Sequence, residues 1–295
     1  MTTTNVDVLC VGYACYDLVF SVYEHPAADE KIVANDFMSC GGGPATNAAV
    51  TISRLGFKAA FAGYLGDDLY GEKHYQELQE QDVNTEFVVR GKSATPLSMV
   101  LVKPNGNRAL INYKGETKAL PIDAVDFSPL KAKVMLFDGH QPYLSMKLAS
   151  EARAAGVPTV LDAGSVHDGT MALIGEIDYM VCSEKFAQQF TGDVEKTLAR
   201  LSKVAPAVVI TLGERGLIWQ KGKRRGESPA FPVKAIDSTG AGDAFHGAFA
   251  AALAAEMEWQ DVLRYASAAG ALCCTKVGAR TGLPSREEHA ALFGQ

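Results

Sequence analysis

The stretch Asp237-Ser238-Thr239-Gly240-Ala241-Gly242-Asp243 packs hydroxyls, glycines and two carboxylates into one short segment. It falls between Phe231 to Ile236, which reads as the end of a strand, and a strongly apolar helical run, Ala244 to Ala255. A loop opening into a helix presents backbone N–H groups with no internal partners, and glycine lets an anion approach them closely. The helix dipole adds partial positive charge at the same point, so the stretch reads as a phosphate site. A carboxylate would repel that phosphate. Asp243 therefore reads as a general base, taking a proton from a hydroxyl that attacks it. The competing reading is an ordinary carboxylate in a first helical turn, with glycines that only shape a bend.

A second acid follows the first apolar run. Val6 to Gly12 reads as a buried parallel strand, and Asp17 lies just beyond its carboxyl end. Ligands of open α/β sheets bind beyond such ends, so Asp17 is a candidate contact; a turn carboxylate is the alternative. Cys40-Gly41-Gly42-Gly43-Pro44-Ala45-Thr46-Asn47 leads into a helical run, Ala48 to Leu55. Glycines before a helix admit a ligand close to backbone, and Asn47 can donate to and accept from a hydroxyl. A flexible turn would leave the same pattern.

The elements that must position these residues alternate. From Lys58 the chain reads strand (58–63), helix (68–81), strand (134–138), helix (143–155), strand (159–162), strand (177–182), two helical segments and strand (207–212). That order predicts an α/β fold: a doubly wound, mostly parallel sheet with helices on both faces. Two insertions, about 13–39 and 95–115, instead read as short strands: Leu18 to Val22, Lys31 to Met38, Leu97 to Lys103 and Arg108 to Tyr113. The last two flank Pro104-Asn105-Gly106-Asn107, a strong hairpin signal. Together they predict a small β-sheet lid beside one domain spanning 1–295, with closure excluding water. Lys221 to Arg225 reads as the solvated turn of an edge hairpin. In the helix Trp259 to Thr275, small residues such as Ala271 and Cys274 leave room for a flat adenine ring, or for close helix packing. His246 reads as packed or beside a nucleotide. Lys276 to Leu283 reads as a loop.

Composition narrows the class. Of 295 residues, 47% are hydrophobic and 21% charged, with a net charge of −6, ordinary for a globular enzyme and contrary to a nucleic-acid surface. Six cysteines show no paired spacing and several fall in apolar runs. No basic segment followed by an apolar run opens the chain, and no apolar stretch is long enough to span a bilayer. The expectation is a cytoplasmic protein with no membrane partner. No His/Asp/Glu cluster has the spacing of a metal-dependent hydrolase.

The seven-residue stretch resembles the D-T-x-G-A-G-D signature of the ribokinase/PfkB family of carbohydrate kinases. Gly42, Gly43 and Asn47, followed by a helix ending Arg54-Leu55-Gly56, are similar to that family's N-terminal signature. The resemblance covers essentially the whole chain. It implies a ribokinase-like α/β/α domain that transfers the γ-phosphoryl group of ATP, as its magnesium complex, to a sugar hydroxyl. On it, Asp243 is the base. Gly240, Ala241 and Gly242 supply N–H groups to the transition state, and Asp17, Gly42, Gly43 and Asn47 hold the sugar. Thr211, Gly213 and Gly216 match a T-x-G-x-x-G turn that lies against the nucleotide; His246, Ala271 and Cys274 fall on the same side. Where the family carries N-x-x-E, this chain has Ser183-Glu184-Lys185-Phe186, so Glu184 is the expected support for magnesium. Asp237 and Thr239 match a monovalent cation (K+) site.

Within the family the chain is most similar to the branch of ketohexokinase and 6-deoxy-6-sulfofructose kinase. Gly106-Asn107-Arg108 and Asp29 resemble the former. Gly41 to Ala45, Ile111-Asn112-Tyr113 and Ser183-Glu184 resemble the latter, whose anion site would fall on Lys31, Asn112 and His140. Lys31 reads equally as a solvated edge lysine. The expected substrate is a ketohexose or related sugar. The alternatives are ribose, a nucleoside stacked on Phe20, Phe37 and Tyr113, or a keto-deoxy sugar acid. In another class stands a non-catalytic nucleotide or sugar sensor. Exposed lid strands suggest a homodimer through the lid.

Overall fold

The computed structural model describes residues 3–294. Its first strand, β1 (Thr4–Val11), shows how the sheet is covered: Val8 and Cys10 enter one hydrophobic cluster, Leu9 and Val11 the other. A strand buried on both faces needs helices on each. Then come β2 (Cys15–Ser21), β3 (Asp36–Gly42), α1 (Pro44–Arg54), β4 (Ala59–Gly66), α2 (Leu69–Glu80), β5 (Val88–Gly91), β6 (Leu97–Val102), β7 (Arg108–Tyr113) and β8 (Leu130–Phe137). The second half runs α3 (Pro142–Ala155), β9 (Thr159–Ala163), α4 (Asp168–Leu173), β10 (Tyr179–Ser183), α5 (Glu184–Thr191), α6 (Val194–Leu201) and β11 (Ala207–Thr211). It closes with β12 (Leu217–Lys221), β13 (Arg224–Ser228), α7 (Ala241–Ala254), α8 (Trp259–Cys273), α9 (Ala279–Gly282) and α10 (Arg286–Phe293).

The main sheet has the order β13-β12-β11-β10-β9-β8-β1-β4-β5. Its strands are parallel except for the β12–β13 edge hairpin. Strand order reverses between β1 and β8, where such a sheet opens a crevice. Helices α1, α7 and α8 cover one face, and α3, α5 and α6 the other. Caps fix their ends: the Asp68 side chain accepts from Gly71 N–H at the start of α2, and Ser285 and Glu288 form a capping box on α10.

A separate sheet has the order β3-β2-β6-β7. Its register aligns Cys40, Asp17, Ser98 and Asn112 in one row, then Met38, Val19, Val100 and Leu110, then Val102 and Arg108 beside Ser21. Side chains alternate along a strand, so these rows share the face turned toward the main sheet. Phe20, Phe37 and Tyr113 fall on the opposite face.

Four local expectations change. Phe231 to Ile236 is not a strand: the N–H groups of Ile236 and Asp237 both donate to the Cys274 carbonyl instead of a ladder. The strand expected from Lys31 begins at Asp36, because β2 ends at Ser21 and offers no pairing beyond it, and it runs on to Gly42 opposite Cys15. The 276–283 loop contains the single turn α9. The short elements β5 and α4 were not anticipated.

Candidate active site

Asp138, at the end of β8, stands at the crevice where strand order reverses. One carboxylate oxygen accepts from Tyr13 N–H (2.8 Å) and Ala45 N–H (3.3 Å), and the other from His140 N–H (2.8 Å). It thereby ties the loop after β1, the start of α1 and the loop after β8 into one rigid floor. Gly12 leaves room for it: a Cβ there would lie 2.0 Å from the carboxylate.

Two helices meet over that floor. Gly247 of α7 packs so closely on α1 that a Cβ would lie 2.6 Å from the Ala48 carbonyl oxygen. This contact brings Asn47 in α1 to Asp243 in the first turn of α7, and the amide Nδ2 donates to the carboxylate at 2.7 Å. Burial holds the Asp243 carboxyl above the usual range, opposed by the Asn47 hydrogen bond and by His246. Asn47 Oδ1 is buried without a partner.

Gly240 caps α7 with φ 78°, the left-handed region that turns the chain into the helix. Gly242 is exposed in the first turn, and Ala241 N–H donates weakly to Ser238 at 3.3 Å. His246, expected to be packed or beside a nucleotide, is 2% exposed with both ring nitrogens engaged. Nδ1 faces the Gly242 carbonyl (2.6 Å) and the Asp162 carboxylate (3.3 Å), and Nε2 faces the Val181 carbonyl (3.1 Å). It braces α7 against β9 and β10. Burial raises the Asp162 carboxyl, with His246 opposing.

Asp17 lies on the inner face of the small sheet with its carboxylate over Gly42, where a Cβ would lie 2.3 Å away. It accepts from the Cys15 thiol at 3.3 Å, and burial pushes it up to about 6. Ser98 and Asn112 share its row. Behind it the buried Arg280 of α9 donates to the Gly41 carbonyl (3.1 Å), pairs with Glu77 (3.2 Å) and contacts His74 (3.3 Å). Glu77 in turn accepts from Gly41 N–H at 2.6 Å. Gly43 is the N-cap of α1.

The other expected residues lie along the strand ends. Ser183 caps α5, accepting from Phe186 N–H and donating to Gly164. Glu184 follows it and pairs with Arg215 at 2.5 Å. Thr211 ends β11, Gly213 opens the next turn, and a Cβ on Gly216 would lie 2.1 Å from the Ser228 carbonyl oxygen. Ala271 and Cys274 are half-buried at the end of α8. His140 stacks on His167 with ring centroids 4.6 Å apart, and beside Tyr13 at 5.1 Å. Arg108 contacts Asp237 and Thr239. Asp29 and Lys31 are not brought to this cluster; they are exposed on the connection between β2 and β3.

A family model described as pfkB family carbohydrate kinase matches residues 5–286. The chain belongs to this family. Its relatives include a Bacillus subtilis ribokinase, 27% identical over 96% of this chain and 97% of that protein, and a Zea mays fructokinase-2, 27% identical over 84% of each. Among solved structures, an Arabidopsis thaliana ribokinase complexed with ribose and ATP matches with a TM-score of 0.87 at 25% identity, covering 99% of this chain and 100% of that one.

The chain is therefore a carbohydrate kinase of the pfkB family, a phosphotransferase acting on a hydroxyl. Several residues of the site carried no sequence signal of their own. Asp138, Asp162, Glu77 and Arg280 are isolated charges in ordinary contexts. Only tertiary structure marks them: Asp138, Asp162 and Arg280 are buried, and the half-buried Glu77 pairs with Arg280, since charged side chains are seldom buried without a partner. A cue existed for Asp138 and Asp162: an acid at the carboxyl end of a buried strand, much as Asp17 follows the first one.

Proposed function

We propose that this kinase transfers the γ-phosphoryl group of ATP to a hydroxyl of a small sugar, a ketohexose or a related derivative, with Asp243 as general base. The 2.7 Å contact between Asn47 and Asp243 supports it most directly. That contact joins the sugar-side helix to the phosphate-side helix and leaves Asn47 Oδ1 as an acceptor that a sugar hydroxyl would satisfy. The hydroxyl proton passes to the Asp243 carboxylate as the oxygen–phosphorus bond forms. The bond to the β-phosphate oxygen breaks, and ADP leaves. The carboxyl's raised affinity for a proton suits that task. The amides around Gly240, Ala241 and Gly242 face the developing charge, and Asp17, Asn112 and Gly42 line the sugar side.

Glu184 pairs with Arg215 through one carboxylate oxygen, and its other oxygen would help hold a magnesium ion carried on the ATP phosphates, which would supply charge neutralisation there. A nucleoside is the weaker reading, because the aromatic platform of Phe20, Phe37 and Tyr113 lies on the far face of the small sheet.

ADP release should be followed with ATP and magnesium over fructose, ribose, sulfofructose, sugar phosphates, keto-deoxygluconate and adenosine. One sugar should stand out, and Asp243→Asn should lower its turnover roughly 10²–10⁴-fold with ATP still bound. Undiminished turnover in that variant would remove Asp243 from the mechanism.

A further inference from the structure

The segment just ahead of the catalytic glycines is held by the small sheet itself. Asp237 is 3% exposed and ionised, its hydrogen bonds holding the carboxyl below the usual range against the effect of burial. Its Oδ2 accepts from Gly278 N–H at 2.8 Å. Its Oδ1 accepts from Thr239 N–H (2.9 Å), the Thr239 hydroxyl (2.6 Å) and Arg108 Nη1 (3.1 Å). Three of these donors converge on Oδ1 and the fourth reaches Oδ2, so both carboxylate oxygens are engaged by hydrogen donors. Arg108 also donates to the Thr239 hydroxyl oxygen. The residues that resemble a monovalent cation site therefore do not fit one: every neighbour of the carboxylate is a hydrogen donor, and the positive charge is already present.

Arg108 opens β7, directly after the hairpin Pro104 to Asn107. The hairpin docks on the same segment. Gly106 has φ 79°, and a Cβ on it would lie 2.6 Å from the Ile236 carbonyl oxygen. On the opposite edge of the sheet, Met38 of β3 reaches Gly278, whose N–H is the fourth donor to Asp237: a Cβ there would lie 3.5 Å from the Met38 sulfur. The small sheet thus meets the catalytic loop at backbone, at charge and at a side chain.

We propose that the Arg108 guanidinium replaces a monovalent cation at Asp237 and Thr239, so that the phosphate loop is set by docking of the small sheet and the enzyme works without K+. Arg108 is then a positioning residue. It acts on Gly240 to Asp243 through Asp237 and Thr239, and a sheet that swings away withdraws the charge and loosens the loop. A single guanidinium nitrogen, Nη1, donates to both the carboxylate and the hydroxyl, and the planar group holds it there with less freedom than a lysine ammonium on its flexible stem. The inference rests on reading Asp237 to Asp243 as the catalytic loop.

The test compares KCl with choline chloride at constant ionic strength, for the wild type, Arg108→Ala and Arg108→Lys. Thermal melting needs no substrate, so it decides the cation question even if the sugar reading fails. The wild-type Tm is expected to be the same in both salts. Arg108→Ala is expected to lose Tm in choline and recover it saturably with K+ or with guanidinium at millimolar concentration. With an active sugar in hand, Arg108→Ala should lower kcat on the order of tenfold or more, KCl should restore part of it, and wild-type kcat should not respond. A saturable K+-dependent rise in wild-type Tm or kcat overturns the proposal. So does an Arg108→Ala protein that is impaired but indifferent to K+ and guanidinium, which would mark a purely structural ion pair. Should Arg108→Ala not fold, the wild-type titration and Arg108→Lys carry the same decision.

Discussion

Asp17 is buried among Cys15, Cys40 and Ser98 on a sheet face that also carries valines, and burial raises its carboxyl to about 6. The folded chain binds this proton more tightly than the unfolded chain does. The ionised form therefore opposes folding: the effect is absent below about pH 4, grows as pH rises toward 6, and is constant above it. Asp17→Asn should be more stable than wild type at pH 8, by about 1–3 kcal/mol, with the difference closing near pH 4. The same variant should raise the sugar KM. Melting curves across that pH range together with sugar kinetics check both halves. A stability difference that does not change with pH would refute the account of Asp17. Retaining a destabilising carboxylate makes sense only if it meets a ligand, and that argument belongs to the single residue.

At the scale of elements, the start of α7 decides the site. Gly240 takes φ 78°, and a Cβ on it would lie 2.6 Å from the Ala279 Cβ in α9. Gly240→Ala must strain the backbone or push α9 away, at a cost of about 1–3 kcal/mol. It should also lower kcat, because α9 carries Arg280, which is tied to the backbone beneath the sugar side. An unchanged Tm and kcat would show that the turn is more forgiving than this packing implies. The same loop shows where sequence periodicity stops being informative. Phe231 to Ile236 reads as the end of a strand, but it joins no ladder, and the amides of Ile236 and Asp237 go to Cys274. Alternation records which side chains can share a face; a ladder also needs a partner. The start of β3 was misplaced for the same reason, since pairing with β2 fixes its span.

Across the whole molecule, the outer face of the small sheet remains apolar and open: Phe37 is 51%, Met99 37% and Ile111 63% exposed. A second copy of this sheet is the proposed cover, as an isologous contact. Sedimentation should find a dimer that Ile111→Asp weakens, and a wild type that is monomeric at micromolar concentration would dismiss it. Among the described residues no helix is long and apolar enough to cross a membrane, and all six cysteines are free, five of them buried, as apolar strand and helix positions imply. The sequence alone determined the α/β alternation, the inserted strands and the pfkB-type glycine signatures. Those features are local, because helix period, strand period and glycine's permissiveness are properties of short segments. Tertiary structure decided the rest. It stacked His140 on His167 and left Asp29 and Lys31 outside, buried Asp138 at the strand reversal, and turned the aromatic residues outward. It also placed Arg108 on a carboxylate more than a hundred residues away in the chain. Long-range charge pairing leaves no trace in spacing, since the chain between the partners is free to take any route that packs.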